Sequence, residues 1–151
     1  MLLSLAIGVI AGLRSMTAPT AVSWAARLGT LDLTATPLAF LGYAFTPWIF
    51  TAMALGELVV DQLPTTPSRK LPVPFGARIV SGALSGAAIG APRDGLVIGA
   101  LAGVVGAVIG TLGGHAFRAR LAAAFGRDLP AALIEDAVAI GGALLIMMSV
   151  R

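Results

Sequence analysis

The chain has 151 residues, 58% of them hydrophobic and 11% charged, with a mean hydropathy of +0.95. Soluble domains carry about 25% charged residues, so this balance excludes a soluble enzyme and a disordered chain and points to a protein whose solvent is lipid. The formal charge is +3, but the basic residues are scattered between apolar stretches, which excludes a nucleic-acid surface and makes them topology signals.

The apolar stretches have helical lengths and do not alternate as barrel strands would. The expected fold is therefore all-α, a polytopic transmembrane helix bundle forming a single domain over residues 1–151. Crossing about 30 Å of hydrocarbon takes about 20 apolar residues, and five stretches of that order stand between polar punctuation. The first, Leu2 to Leu28, contains Arg14, Ser15, Thr17 and Pro19. Because proline lacks a backbone donor, Pro19 should open the helix at Ala18 or before it, which predicts a span broken or kinked near Arg14 to Pro19. Either this segment spans once or it dips in as two half-helices. It does not read as a signal peptide, since its start has no basic residue and its apolar core contains Arg14.

The second stretch, Pro37 to Leu63, ends at Pro64, and the third, Phe75 to Ala91, closes at Pro92. Gly95 to Phe117 runs almost without a charge, and Leu129 to Val150 carries Glu135 and Asp136 near its start. Arg69, Lys70 and Arg78 surround the second connection, and Arg118, Arg120 and Arg127 lie in the fourth. The positive-inside rule makes those connections cytoplasmic. Five spans then place the N-terminus in the cytoplasm and the C-terminus outside, in a bacterial inner membrane. Trp24 and Trp48 read as interface anchors.

Small residues fall on single helix faces: Ser4, Gly8 and Gly12 in the first span, and Gly82, Gly86 and Gly90 in the third. In the fourth, Gly95, Gly99, Gly103, Gly106, Gly110 and Gly114 form one seam that lets two backbones approach closely. The seam is expected to pack the bundle or a homodimer. An internal echo links Ile7, Gly8 and Gly12 with Ile109, Gly110 and Gly114, and Ala54, Leu55 and Glu57 with Ala132, Leu133 and Glu135. It suggests an inverted repeat of the kind found in transporters.

Charges inside a bilayer each cost about 2.5 to 3.5 kcal/mol at a helix centre, so they must be paired or hydrated. Arg14 sits mid-span, where a broken helix, with Ser15 and Thr17 beside it, offers groups for an anion or a polar substrate. Glu57 and Asp61 lie one above the other on a helix face and, both ionised, call for a cation between them: magnesium, sodium or an arginine. Glu135 and Asp136 are adjacent and point about 100° apart, so one of them is expected in the cavity that holds Glu57. The candidate site is Arg14, Ser15, Thr17, Glu57, Asp61, Arg69, Arg78, Glu135 and Asp136. No catalytic residue is expected, and Glu57 with Asp61 would hold any metal, a bound magnesium or sodium ion. The segment around His115, next to Arg118, reads as interfacial, and no serine sits in a nucleophile elbow.

The segments GLRSMTAPTA, GELVVDQLPTTPSR, RIVSGALSGAAIG and LIEDAVAIGGA resemble those of the small bacterial integral-membrane proteins grouped as domain-of-unknown-function family 4126. The likeness covers most of the chain. It implies that Arg14 with Ser15, Glu57, Asp61, Arg69, Arg78 and the Glu135–Asp136 pair are recurring polar positions, and it names no substrate.

Three functions fit these residues. The first is a transporter or channel moving a small ion or polar metabolite through a charged cavity, as a homodimer closed by the Gly95 to Gly114 seam. The second is a membrane-embedded magnesium-dependent enzyme on a lipid phosphate head group, with Arg69, Arg78 and Arg118 clamping phosphate. The third is a scaffold whose ion pairs are structural.

Overall fold

The computed structural model describes residues 1–60 and 71–150. Six α-helices follow in chain order: α1 (Leu2–Leu13), α2 (Thr17–Arg27), α3 (Thr46–Val60), α4 (Pro72–Gly90), α5 (Leu96–Phe125) and α6 (Asp128–Ser149), with a 3₁₀ turn at Ala39–Gly42. No strand occurs among the described residues. Helices α4, α5 and α6 are long and apolar enough to cross a membrane, whereas α1 and α3 are shorter apolar helices. The chain is a helical membrane protein.

The centre is a three-helix sandwich of α1, α4 and α5, built where side chains are missing. A Cβ on Gly12 would stand 2.7 Å from the Cα of Gly110, one on Gly82 would stand 2.7 Å from the Ala107 Cβ, and one on Gly90 would stand 2.7 Å from the Gly99 Cα. Between lipid-solvated helices there is no hydrophobic driving force, so close backbone approach of this kind supplies the packing. Gly8 faces Gly103 and Gly12 faces Gly110, which makes α1 parallel to α5, and α4, whose Gly82 faces Gly103 and whose Gly90 faces Gly99, runs antiparallel to both. The seam from Gly99 to Gly114 is thus closed by helices of its own chain. Of the two uses expected of the seam, the fold shows the packing of the bundle.

The bundle has two ends. At one of them Met1 pairs with Asp94, Arg93 donates to the Val150 carbonyl, and Thr30, Leu31 and Asp32 share a cleft with Arg93 and Val150. Both the start of α1 and the end of α2 lie there, so residues 2–28 fold as a hairpin of two short helices. At 1.5 Å per residue, α1 is about 18 Å long and α2 about 16 Å, each about half of a 30 Å hydrocarbon layer. Helix α3 starts at the same end, where Thr46 bonds the Phe40 carbonyl, and carries Glu57 to the hairpin tip. Gly126, left-handed with φ +70, ends α5 at the opposite end.

Met1 and Val150 share one end of the bundle. One expectation is corrected by the helix directions. Helices α1 and α5 run in the same direction, so the segments matched in the internal echo are not related by inversion.

Candidate functional site

The site forms where the hairpin turns. Helix geometry stops at Leu13, Arg14 is extended (φ −138, ψ 112), and helix resumes at Thr17. Pro19 accounts for the break, because in an unbroken helix its nitrogen would face the Ser15 carbonyl, to which it cannot donate. That carbonyl instead accepts a hydrogen bond from the Ser81 hydroxyl of α4. At the third position of α2, Pro19 occupies a place where no intrahelical donor is needed.

Each helix end left open by the break is met by an ionic side chain from another helix. At the end of α1, Nη1 of Arg78 donates to the carbonyls of Gly12 (2.7 Å) and Leu13 (2.6 Å). The Thr111 hydroxyl reaches the Gly12 carbonyl at 3.3 Å. At the start of α2 the Glu57 carboxylate accepts three hydrogen bonds of 2.8 Å each. Its Oε1 takes the Ser15 amide and hydroxyl, and its Oε2 takes the Met16 amide. Cations suit helix C-termini and anions suit N-termini, so both caps follow the sign of the helix dipole. Arg78 Nη2 then lies 3.8 Å from Glu57 Oε1 and joins the two caps.

The Arg14 side chain, fully buried, pairs with Asp136 of α6. Glu135, 1% exposed, turns to Arg118 of α5 at 3.4 Å, and Arg118 also holds Asp128 through Nε at 2.9 Å. The chain matches no protein-family model, no curated protein and no solved structure. The site is therefore read from its own geometry.

The structure brings Arg14, Ser15, Glu57, Arg78 and Asp136 together around the tip. Thr17 lies beside it and lines an apolar groove of about 200 Å³ between α2, α3 and α6. Glu135 meets Arg118, one helical turn from Gly114, and its neighbour Asp136 meets Arg14 at the tip. Asp61 and Arg69 lie outside the described residues, so the Glu57–Asp61 pairing proposed for a metal does too. Among the described residues no three His, Cys, Asp or Glu side chains are grouped to hold a metal ion.

Sequence reasoning passed over Ser81, Thr111 and the Met16 amide, and it read Arg118 as a topology signal and a phosphate clamp, not as the partner of Glu135. Ser81 was within reach of inference, since it lies three residues after Arg78 and so on the same face of α4. The Met16 amide carries no side-chain signal at all.

Proposed function

We propose that this protein is a small membrane transport protein, a transporter or channel for a small ion or polar metabolite that passes the hairpin tip. The observation that carries the reading is the tip itself: non-helical backbone at Arg14 to Met16, halfway along the bundle, set among Glu57, Arg78 and Asp136. Irregular backbone at membrane depth occurs where it is buried in protein or lines a cavity, and broken helices with ionisable partners mark transport sites. In this reading α3 to α6 cross the bilayer and α1 with α2 dip in from one side. Arg118, Arg120 and Arg127 put the α5–α6 turn in the cytoplasm of a bacterial inner membrane, so both ends of the chain face outward. The earlier expectation of a cytoplasmic N-terminus is replaced accordingly. A homodimer would use faces other than the glycine seam, and the likeness to family 4126 belongs to this reading without adding a substrate.

Flux in sealed vesicles tests it. Vesicles carrying the purified protein should dissipate at least one imposed gradient, of protons, sodium or chloride taken singly, faster than protein-free vesicles. Equal rates for all three would overturn transport of these ions.

A further inference from the structure

We propose that the apolar groove between α2, α3 and α6 is a seat for one acyl chain of a membrane phospholipid. Helix α3 packs on α2 and on the 3₁₀ turn, and α2 packs on α6, so α2 is the floor of a slot whose walls are α3 and α6. Along α3 the lining residues are Thr51, Ala54, Leu55 and Leu58, spaced as one helix face, so the slot runs along the bundle axis as a lipid chain does. From Thr51 to Leu58 it is about 10 Å long at 1.5 Å per residue. Its volume of about 200 Å³ over that length gives a cross-section of about 20 Å², whereas a helix 10–12 Å across needs at least about four times as much. The slot has the girth of one extended hydrocarbon chain and excludes a helix from a second copy.

The lining and the mouth both select a lipid. No charged side chain lines the slot, and its Thr20 and Thr51 hydroxyls are engaged within the protein, donating to the Met16 carbonyl at 2.6 Å and the Pro47 carbonyl at 2.7 Å. A polar guest would lose its hydration there without gaining a partner. At the mouth, Trp24 Nε1 donates to the Thr51 hydroxyl at 3.0 Å, and the Trp24 and Trp48 rings meet edge to face with centroids 5.0 Å apart. These are the chain's two tryptophans, Trp48 is exposed, and indoles of this kind mark the level of lipid head groups. The head group then lies at the end that holds Met1 and Val150, and the acyl chain points toward Thr17 beside the hairpin tip. A chain seated there joins α3, which carries Glu57, to α6.

The test is photolabelling of the purified full-length protein in vesicles of phosphatidylethanolamine and phosphatidylglycerol, with a diazirine at the middle of one phosphatidylglycerol chain. Peptides holding Ala54–Leu58 and Ile140–Leu144 should be labelled at least about fivefold more than Val97–Leu101, a preference of about 1 kcal/mol. Val97 and Leu101 are the comparison because they are exposed on α5 away from the slot. Equal labelling of the three stretches would mean ordinary contact with bulk lipid and would overturn the seat. Ala54→Phe, which fills the slot, should bring labelling at Ile140–Leu144 down to the level of Val97–Leu101. Ala52→Phe, on the exposed side of the same helix, should leave it unchanged. Folded variants that label alike would also overturn the proposal, and if Ala54→Phe does not fold, the wild-type pattern decides. No flux enters this measurement, so the seat and the transport reading stand or fall separately.

Discussion

Arg14 and Asp136 form a pair in which neither partner can lose the other cheaply. The Arg14 side chain is fully buried, and removing one member of a buried ion pair typically costs about 3 to 5 kcal/mol because a charge is stranded. Asp136→Asn should therefore lower the thermal stability in mild detergent by that order. Arg14→Met combined with Asp136→Leu should recover most of it, and a double variant as unstable as the single one would show that the pair is not the cause. At the surface, the Thr34 hydroxyl and amide both bond Asp32 and hold its carboxyl below the usual range. Its stabilising effect is present above the unfolded carboxylate value and is lost as pH falls through the lowered one. Thr34→Val should raise the Asp32 pKa toward its ordinary value, as carboxyl NMR titration would report. That Arg14, Glu57 and Asp136 matter was legible in the sequence, because charges in apolar stretches demand partners. Which partner each takes was not, since depth along a helix leaves the direction of the side chain open: Glu135 turns to Arg118 and its neighbour to Arg14.

Glycine spacing decides how the helices meet. A Cβ on Gly103 would run into the Gly82 carbonyl and stand 3.0 Å from the Gly86 Cα, and backbone cannot step aside as a side chain can. Gly103→Ala should cost about 1 to 3 kcal/mol, as overpacking does, and Gly103→Leu should prevent recovery of folded protein. Gly113→Ala is the control, for nothing lies within 4 Å of its added methyl, and it should leave stability unchanged or raise it by up to about 1 kcal/mol. Thermal melts of the three variants would check both claims, and a wild-type melt for Gly103→Leu would refute the packing. The break in the first stretch was also legible, through Pro19. Its position was set by the neighbours: Arg78 and Glu57 cap the helix ends at Leu13 and Ser15, so the chain opens at Arg14 to Met16 ahead of Ala18. Helix α5 runs to Phe125, beyond the expected end at Phe117, because Arg118 is neutralised by Asp128 and Glu135 and the first left-handed glycine comes at Gly126.

Topology is the property of the whole molecule that a single experiment can read. The chain has no cysteine, so single cysteines report cleanly on exposure. Thr34→Cys, after α2, and Arg93→Cys, between α4 and α5, should react with an impermeant thiol reagent from the same side of the membrane, and Arg127→Cys should react from the other. Labelling of Thr34→Cys together with Arg127→Cys would mean that residues 2–28 cross the membrane and would remove the hairpin.

The sequence by itself determined the solvent, the all-helical class, the small-residue faces and the buried charges, because each follows from composition or from a period of 3.6 residues along one segment. Tertiary structure decided that the first stretch folds back on itself, that the glycine seam closes on α1 and α4, and that Glu57 sits on the amides of Ser15 and Met16. These are contacts between segments distant in the chain, and neither backbone amides nor helix direction leaves a mark in residue identity. A proline states that a helix must open, while the groups that receive its open ends come from wherever the fold brings charge of the right sign.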